Sequence, residues 1–289
     1  MMSRFFHQTR LWSKQLRCEQ WIKNIFIFAP LVFAGKFFSL KLLLCAGRAF
    51  CFFSLSASCC YLLNDILDIK DDRKDELKKK RPLADGKLHT RQVATVAIIL
   101  FIITGTCSIS FMSEKFQLIL AFYFLLNLLY STMRIRNTPP LDILCISAGF
   151  ICRVLAGSTA VDIQASQWLL AMTFLLTLIL ALGKRFSEQK NQFFYTEKYI
   201  LFLLPSLCSI LLAFYTLYIV LLPPDQPLYS RWTIFTIFPV AGAILYYISK
   251  FFSSEKVNTD PSFFIFHDKK FSTWIILWIL SIFLIIYVK

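Results

Sequence analysis

The stretch Tyr61-Leu62-Leu63-Asn64-Asp65-Ile66-Leu67-Asp68-Ile69-Lys70-Asp71-Asp72-Arg73 holds the residues best placed to do chemistry. In a helix Asn64, Asp68 and Asp72 follow at four-residue steps, each turned only about 40° round the axis, and Asp65 lies three before Asp68 on the same side. One face of a helix end then carries an amide and a run of carboxylates, with Asp71 at its margin. Like charges that close repel unless a cation lies between them. Oxygen donors with little else nearby suit Mg²⁺, which keeps waters and bridges to phosphates. A basic run follows, Lys78-Lys79-Lys80-Arg81-Pro82-Leu83-Ala84-Asp85-Gly86-Lys87. Alone, the acids would pass for solvated charge and the bases for a contact with anionic lipid. Side by side at the end of an apolar segment, they form a set of tools for a metal and for phosphate.

The elements that must position these residues are apolar. The chain has 289 residues, 57% of them hydrophobic, with mean hydropathy +0.62, in repeated runs long enough to cross hydrocarbon. The fold expected is all-α: a polytopic membrane protein of about nine transmembrane helices around a central cavity open to the cytosol and laterally to lipid. The expected spans are 20–35, 42–68, 91–111, 116–133, 140–161, 166–184, 198–222, 231–250 and 271–288. They form a single domain over 1–289, with a cytosolic N-terminal segment at 1–19 and cytosolic loops at 69–90 and 251–270. The first span has no cleavage pattern and is expected to stay as an anchor.

The net charge of +14 would suit nucleic acid, but the cations fall in alternate loops. One side collects Arg4 to Lys23, Lys70 to Arg91, Arg134, Arg136, Lys184 to Lys198 and Lys250 to Lys270; the other has only Lys36, Lys41, Lys115, Arg231 and Lys289. That asymmetry excludes nucleic acid as the partner. It places the N-terminus and the acidic face in the cytosol of a bacterial-type inner membrane. The nine cysteines form no C-x-x-C pair and read as small packing residues. His7, His89 and His267 are far apart, which disfavours a histidine metal centre or triad.

Charged side chains within spans cost roughly 2.5–3.5 kcal/mol each at mid-bilayer. Asp142 and Arg153 are eleven residues apart, three helical turns nearly in register, and so share a side. They serve either as a structural ion pair with other helices or as the wall of a polar cavity facing Asn64 and Asp68, to which Tyr130 could add a hydroxyl. Arg48 has no evident partner in the sequence. Lys23 beside Trp21 reads as an interface anchor, and Lys184-Arg185 as a positive stop or a phosphate contact.

The pattern N-D-x-x-D-x-x-x-D followed by K-x-R-P-L-A-x-G resembles the first signature of the UbiA-type intramembrane prenyltransferases. Glu19 to Pro30, Ala148 to Gly157 and Leu180 to Arg185 resemble its decaprenyl-phosphate phosphoribosyltransferase branch. General members carry a second D-x-x-x-D motif after a later helix; this chain has Lys184-Arg185-Phe186-Ser187-Glu188 there and no aspartate until Asp225. The resemblance therefore implies one metal-bound diphosphate plus a further anionic group held by cations.

What it implies is Mg²⁺-dependent transfer of 5-phosphoribosyl from phosphoribosyl diphosphate to a polyprenyl phosphate in the membrane, for cell-envelope glycan synthesis. Asn64 and Asp68 would ligate the metal, and Asp65 and Asp72 would ligate it or hold its ligands. The substrate-binding set would be Lys23, Tyr61, Lys78, Lys80, Arg81, Lys87, Tyr130, Asp142, Arg153, Lys184 and Arg185. Homo-oligomerisation stays open. An aromatic prenyltransferase using a prenyl diphosphate shares the first motif but is disfavoured by the missing second one. A non-catalytic polyprenyl-lipid carrier or flippase has little need of a carboxylate cluster.

Overall fold

The computed structural model describes residues 2–187, 197–252 and 268–288. Every regular element among them is helical. Two compact units emerge, the first comprising residues 1–29, 39–138 and 152–164, the second 30–38, 139–151 and 165–289.

Eight helices among the described residues are long and apolar enough to cross a membrane. They are α3 (Leu40–Leu67), α5 (Thr90–Phe111), α6 (Glu114–Thr132), α7 (Leu141–Val161), α8 (Gln167–Ser187), α9 (Glu197–Val220), α10 (Ile237–Phe252, preceded by the 3₁₀ turn Arg231–Thr236) and α11 (Lys269–Tyr287). Side chains such as Phe101, Leu118 and Phe202 stand exposed on them, as on helices whose solvent is lipid. The second to ninth expected spans match these helices closely. The loop expected at 251–270 falls largely outside the described residues, including its aromatic run at 263–266.

The expected first span takes a different form. Beyond α1 (Met2–Gln15), residues Cys18–Phe28 wind as a 3₁₀-helix, followed by the short α2 (Ala29–Phe33). The 3₁₀ segment runs antiparallel along α3: Trp21 Nε1 donates to Ser58 Oγ at 2.9 Å and Asn24 Nδ2 to Ser54 Oγ at 2.8 Å, while Phe28 meets Phe50 with ring centroids 5.9 Å apart. The reason for the unusual winding is one of register. Trp21, Asn24 and Ile27 recur every third residue, so on a three-fold helix they form one line. Three residues of 3₁₀-helix rise about 6 Å, and so do four residues of α-helix. The line therefore matches the Ser58-to-Ser54 step on α3. Eleven residues wound this way cover about 22 Å, against about 16 Å as an α-helix.

In the first unit α3 is central. It packs on α5, α6 and the 3₁₀ segment, and buries Ala46, Ala49, Ser54, Ser56, Ala57, Ser58, Cys59 and Cys60. Small side chains let neighbouring helices approach closely where lipid gives no hydrophobic drive for them to associate. Phe53 and Phe116 fill the space left over, alongside Ile27, Tyr123, Cys152 and Ala156. All nine cysteines are free, and Cys59, Cys60, Cys152 and Cys208 are buried, in keeping with a packing role. In the second unit Ile179, Leu182, Ile200, Leu204, Tyr247 and Phe271 form the main core, and Leu222, Leu228 and Ile282 a smaller one.

The closest approach in the first unit is at Gly157 on α7, where a Cβ would overlap the carbonyl oxygen of Ile27 in the 3₁₀ segment. Gly105 on α5 has no such neighbour. Gly157→Ala should therefore lower stability in detergent by on the order of 1–3 kcal/mol through overpacking. Gly105→Ala should be neutral or slightly stabilising. Thermal unfolding of the two variants checks this contrast, and equal melting temperatures would contradict it.

Candidate active site

The acidic stretch does not form one unbroken helix. α3 ends at Leu67, Asp68 takes φ −92° and ψ 5°, and a short α4 (Ile69–Asp72) follows. The four-residue step survives the break, because the Asp68 amide donates to the Asn64 carbonyl at 2.9 Å and the Asp72 amide to the Asp68 carbonyl at 2.8 Å. Asp65 and Asp72 are 3% and 2% exposed, whereas Asn64 and Asp68 are half-buried.

Burying two carboxylates this close requires positive charge between them, and the protein supplies it. Arg81 Nη1 donates to Asp65 Oδ1 at 3.0 Å and to Asp72 Oδ2 at 2.5 Å. Arg17 Nη2 also donates to Asp65 Oδ1, and Gln15 Nε2 donates to Asp65 Oδ2 at 2.9 Å. Lys78 Nζ lies 3.9 Å from Asp72 and 3.7 Å from Asp75. Tyr61, half-buried, lies beneath the Arg17 guanidinium, 4.8 Å from ring centroid to Cζ. Beside this cluster the Ser131 hydroxyl donates to Asn64 Oδ1 at 2.6 Å.

The basic run folds so as to present Arg81. Lys78–Lys80 make one 3₁₀ turn; Lys87 and Leu88 then return their amides to the Pro82 carbonyl, at 3.0 and 3.2 Å, through a turn with Gly86 at φ +76°. Leu83 and Leu88 bury against Leu11, Cys59, Leu62 and Val93. Gln15 fastens this loop, because its Oε1 accepts the Leu83 amide at 3.0 Å. Lys80 and Lys87 are exposed, with Lys87 paired to Asp85. Lys23 is half-buried on the 3₁₀ segment, and Tyr130 half-buried immediately before Ser131.

Deeper in the first unit Arg153 is 4% exposed. Its Nε donates to Asn24 Oδ1 at 2.7 Å and its Nη2 to the Tyr123 hydroxyl at 3.0 Å. Its Cζ lies 5.3 Å from the Phe53 ring and 5.0 Å from that of Tyr123, cation–π contacts that help hold a desolvated charge. Asp142 has another partner: in the second unit Arg185 Nε donates to its Oδ2 at 2.6 Å, both side chains buried. Lys184 is half-buried beside Arg185. Arg48, exposed on α3, donates to Cys45 Sγ at 3.1 Å.

Gln15, Arg17, Asn24, Tyr123 and Ser131 are the site residues that sequence reasoning missed. Arg17 and Gln15 sit in a short polar stretch whose ordinary reading is solvated charge. Asn24 had a signal, its three-residue spacing from Trp21 and Ile27.

A family model described as the UbiA prenyltransferase family matches residues 24–274. The chain belongs to the UbiA prenyltransferase family and is an integral membrane protein. It is 33% identical over 180 residues to a decaprenyl-phosphate phosphoribosyltransferase of Corynebacterium glutamicum, covering 61% of this chain and 53% of that one. It is 30% identical over 179 residues to the protein of the same name from Mycobacterium tuberculosis, covering 61% and 59%. The chain thus spans a little over half the length of these curated relatives. Its fold is similar to that of a UbiA homologue from Archaeoglobus fulgidus solved bound to DMAPP and Mg²⁺, with TM-score 0.70, 19% identity, and 96% and 99% of the two chains covered.

Among the described residues no three His, Cys, Asp or Glu side chains come together as a ready-made metal site. Asn64 Oδ1, which accepts the Ser131 hydroxyl, and the half-buried Asp68 carboxylate four residues on are the oxygens that would hold a cation. So small a donor set fits Mg²⁺, an ion that keeps several waters and shares phosphate oxygens.

Removing Arg81 would leave Asp72 and Asp65 short of donors in a nearly closed site. Arg81→Ala should cost about 2 kcal/mol or more, and Asp72→Asn in the same chain should recover part of that loss. A double-mutant cycle on unfolding in detergent measures the coupling; additive losses would contradict the pairing.

Proposed function

We propose that this chain transfers a 5-phosphoribosyl group from phosphoribosyl diphosphate to a polyprenyl phosphate. The observation that carries the reading is the juxtaposition of Asn64 and Asp68 with the arginine-bound Asp65 and Asp72, hard oxygen donors for a metal beside guanidinium groups for phosphate. The names of the C. glutamicum and M. tuberculosis relatives support it, as does the Lys184-Arg185 pair where general members of the family carry a second aspartate motif.

In this reading Asn64 and Asp68 would hold Mg²⁺, which would supply positive charge against the diphosphate leaving group. Arg81, Lys78 and Lys23 provide cations for the phosphate groups, with Lys80 and Lys87 at the more exposed positions. Arg185, paired with Asp142, fixes α7 against α8. The phosphate oxygen of the lipid forms its bond to C1 of the ribose as the bond from C1 to the diphosphate oxygen breaks. The phosphate nucleophile is already ionised at neutral pH, so the residues need only position it and stabilise the departing charge. The acidic helix end faces the cytosol, where the sugar donor is soluble, and the prenyl tail stays in lipid.

Purified protein given labelled phosphoribosyl diphosphate, polyprenyl phosphate and Mg²⁺ should yield a labelled lipid. Asn64→Ala and Asp68→Ala should each lower turnover by on the order of 100-fold or more while still inserting in the membrane. The A. fulgidus neighbour bound to DMAPP motivates a second arm with a prenyl diphosphate and an aromatic acid. Product in that arm alone, or full turnover by both variants, would overturn the assignment.

A further inference from the structure

The N-terminal residues before position 24 lie outside the family match, yet they reach the centre of the acidic site. Gln15 is 1% exposed and forms a two-headed link, its amide nitrogen on Asp65 and its amide oxygen on the backbone of Leu83. It thereby ties the loop that carries Arg81 to the carboxylate that Arg81 meets. Two residues on, Arg17 occupies the left-handed region at φ 52° and ψ 47°. That conformation costs a non-glycine residue roughly 1 kcal/mol, so the surroundings must enforce it. The turn joins α1 to the 3₁₀ segment, and there the Arg17 side chain meets Asp65.

Arg17 and Arg81 converge on one oxygen, Asp65 Oδ1. Each binds the carboxylates through a single nitrogen of a guanidinium that has five N–H groups. Their side chains are 23% and 28% exposed, while the Asp65 side chain that holds them is 3% exposed. A buried carboxylate thus holds two partly open guanidinium groups on one oxygen, an arrangement suited to a tetrahedral anion.

We propose that Arg17 and Arg81 form a paired guanidinium subsite for a phosphate group of the donor, with Asp65 orienting the pair and Gln15 acting as a positioning residue. The donor's identity rests on the function proposed above; the phosphate chemistry does not. The subsite also gives the N-terminal helix a role, because without it Asp65 loses two of its three donors and the Arg81 loop loses its anchor.

The test is calorimetric titration of the purified protein with inorganic diphosphate and, separately, with ribose 5-phosphate, neither of which needs turnover. Arg17→Gln should weaken binding of at least one of them about 10- to 100-fold, and Arg17→Lys should restore part of it; the weakened ligand shows which end of the donor the pair holds. Gln15→Leu should raise KM for phosphoribosyl diphosphate several-fold and leave KM for polyprenyl phosphate unchanged, a split that general loss of structure would not produce. Arg48→Gln, exposed elsewhere on α3, is the control and should match the wild type. Unaltered affinity of Arg17→Gln for both anions would overturn the subsite. If the wild type transfers no ribosyl group yet binds these anions through Arg17, the function fails and the subsite stands.

Discussion

A guanidinium group between two buried carboxylates is the constraint on which the first unit depends. Asp65, in the last turn of α3, and Asp72, at the end of α4, lie seven residues apart and are nearly closed to solvent, an arrangement that mutual repulsion and desolvation would forbid without Arg81 between them. Arg81 in turn must be carried there by a loop, and that loop is pinned by buried leucines and by Gln15. The charge requirement thus draws together three parts of the chain that are distant in sequence: α1, the end of α3, and the basic loop before α5.

The same economy runs through the apolar part of the unit. A 3₁₀ segment and an α-helix stay in step because six ångströms of each carries one partner residue, and the polar rungs Trp21–Ser58 and Asn24–Ser54 fix the antiparallel alignment. Asn24 also accepts from Arg153, so the rung network extends to α7, where Gly157 lets the Ile27 backbone approach closely. Where lipid replaces water as the solvent, small residues and satisfied polar groups decide which helices touch.

Much of this was legible in the sequence. Long apolar runs located eight of the spans to within a few residues at most ends, since hydrophobic length is local information. The acidic residues were recognisable from their four-residue spacing, and the need for a cation among them followed from electrostatics. Which cation would serve did not, because Arg81 is one of several bases in its run and only tertiary packing selects it. The first expected span is helical too, but apolar length does not distinguish a 3₁₀ winding from an α-helical one. Asp142 and Arg153, in register on one helix, meet other elements, in keeping with the first of their two readings: Asp142 accepts from Arg185, and Arg153 donates to Asn24 and Tyr123. Ser131, next to Tyr130, makes a contact with Asn64 that no spacing in the sequence pointed to.

Asp65 and Asp72 are bound by arginine, and under the proposed function the small donor set of Asn64 and Asp68 would hold a metal firmly only together with an anion. Titration of Mg²⁺ into the purified protein, with and without inorganic diphosphate, tests this most directly. The predicted result is weak Mg²⁺ binding alone, strengthened at least 10-fold once diphosphate is present. Tight Mg²⁺ binding that is indifferent to diphosphate would contradict it.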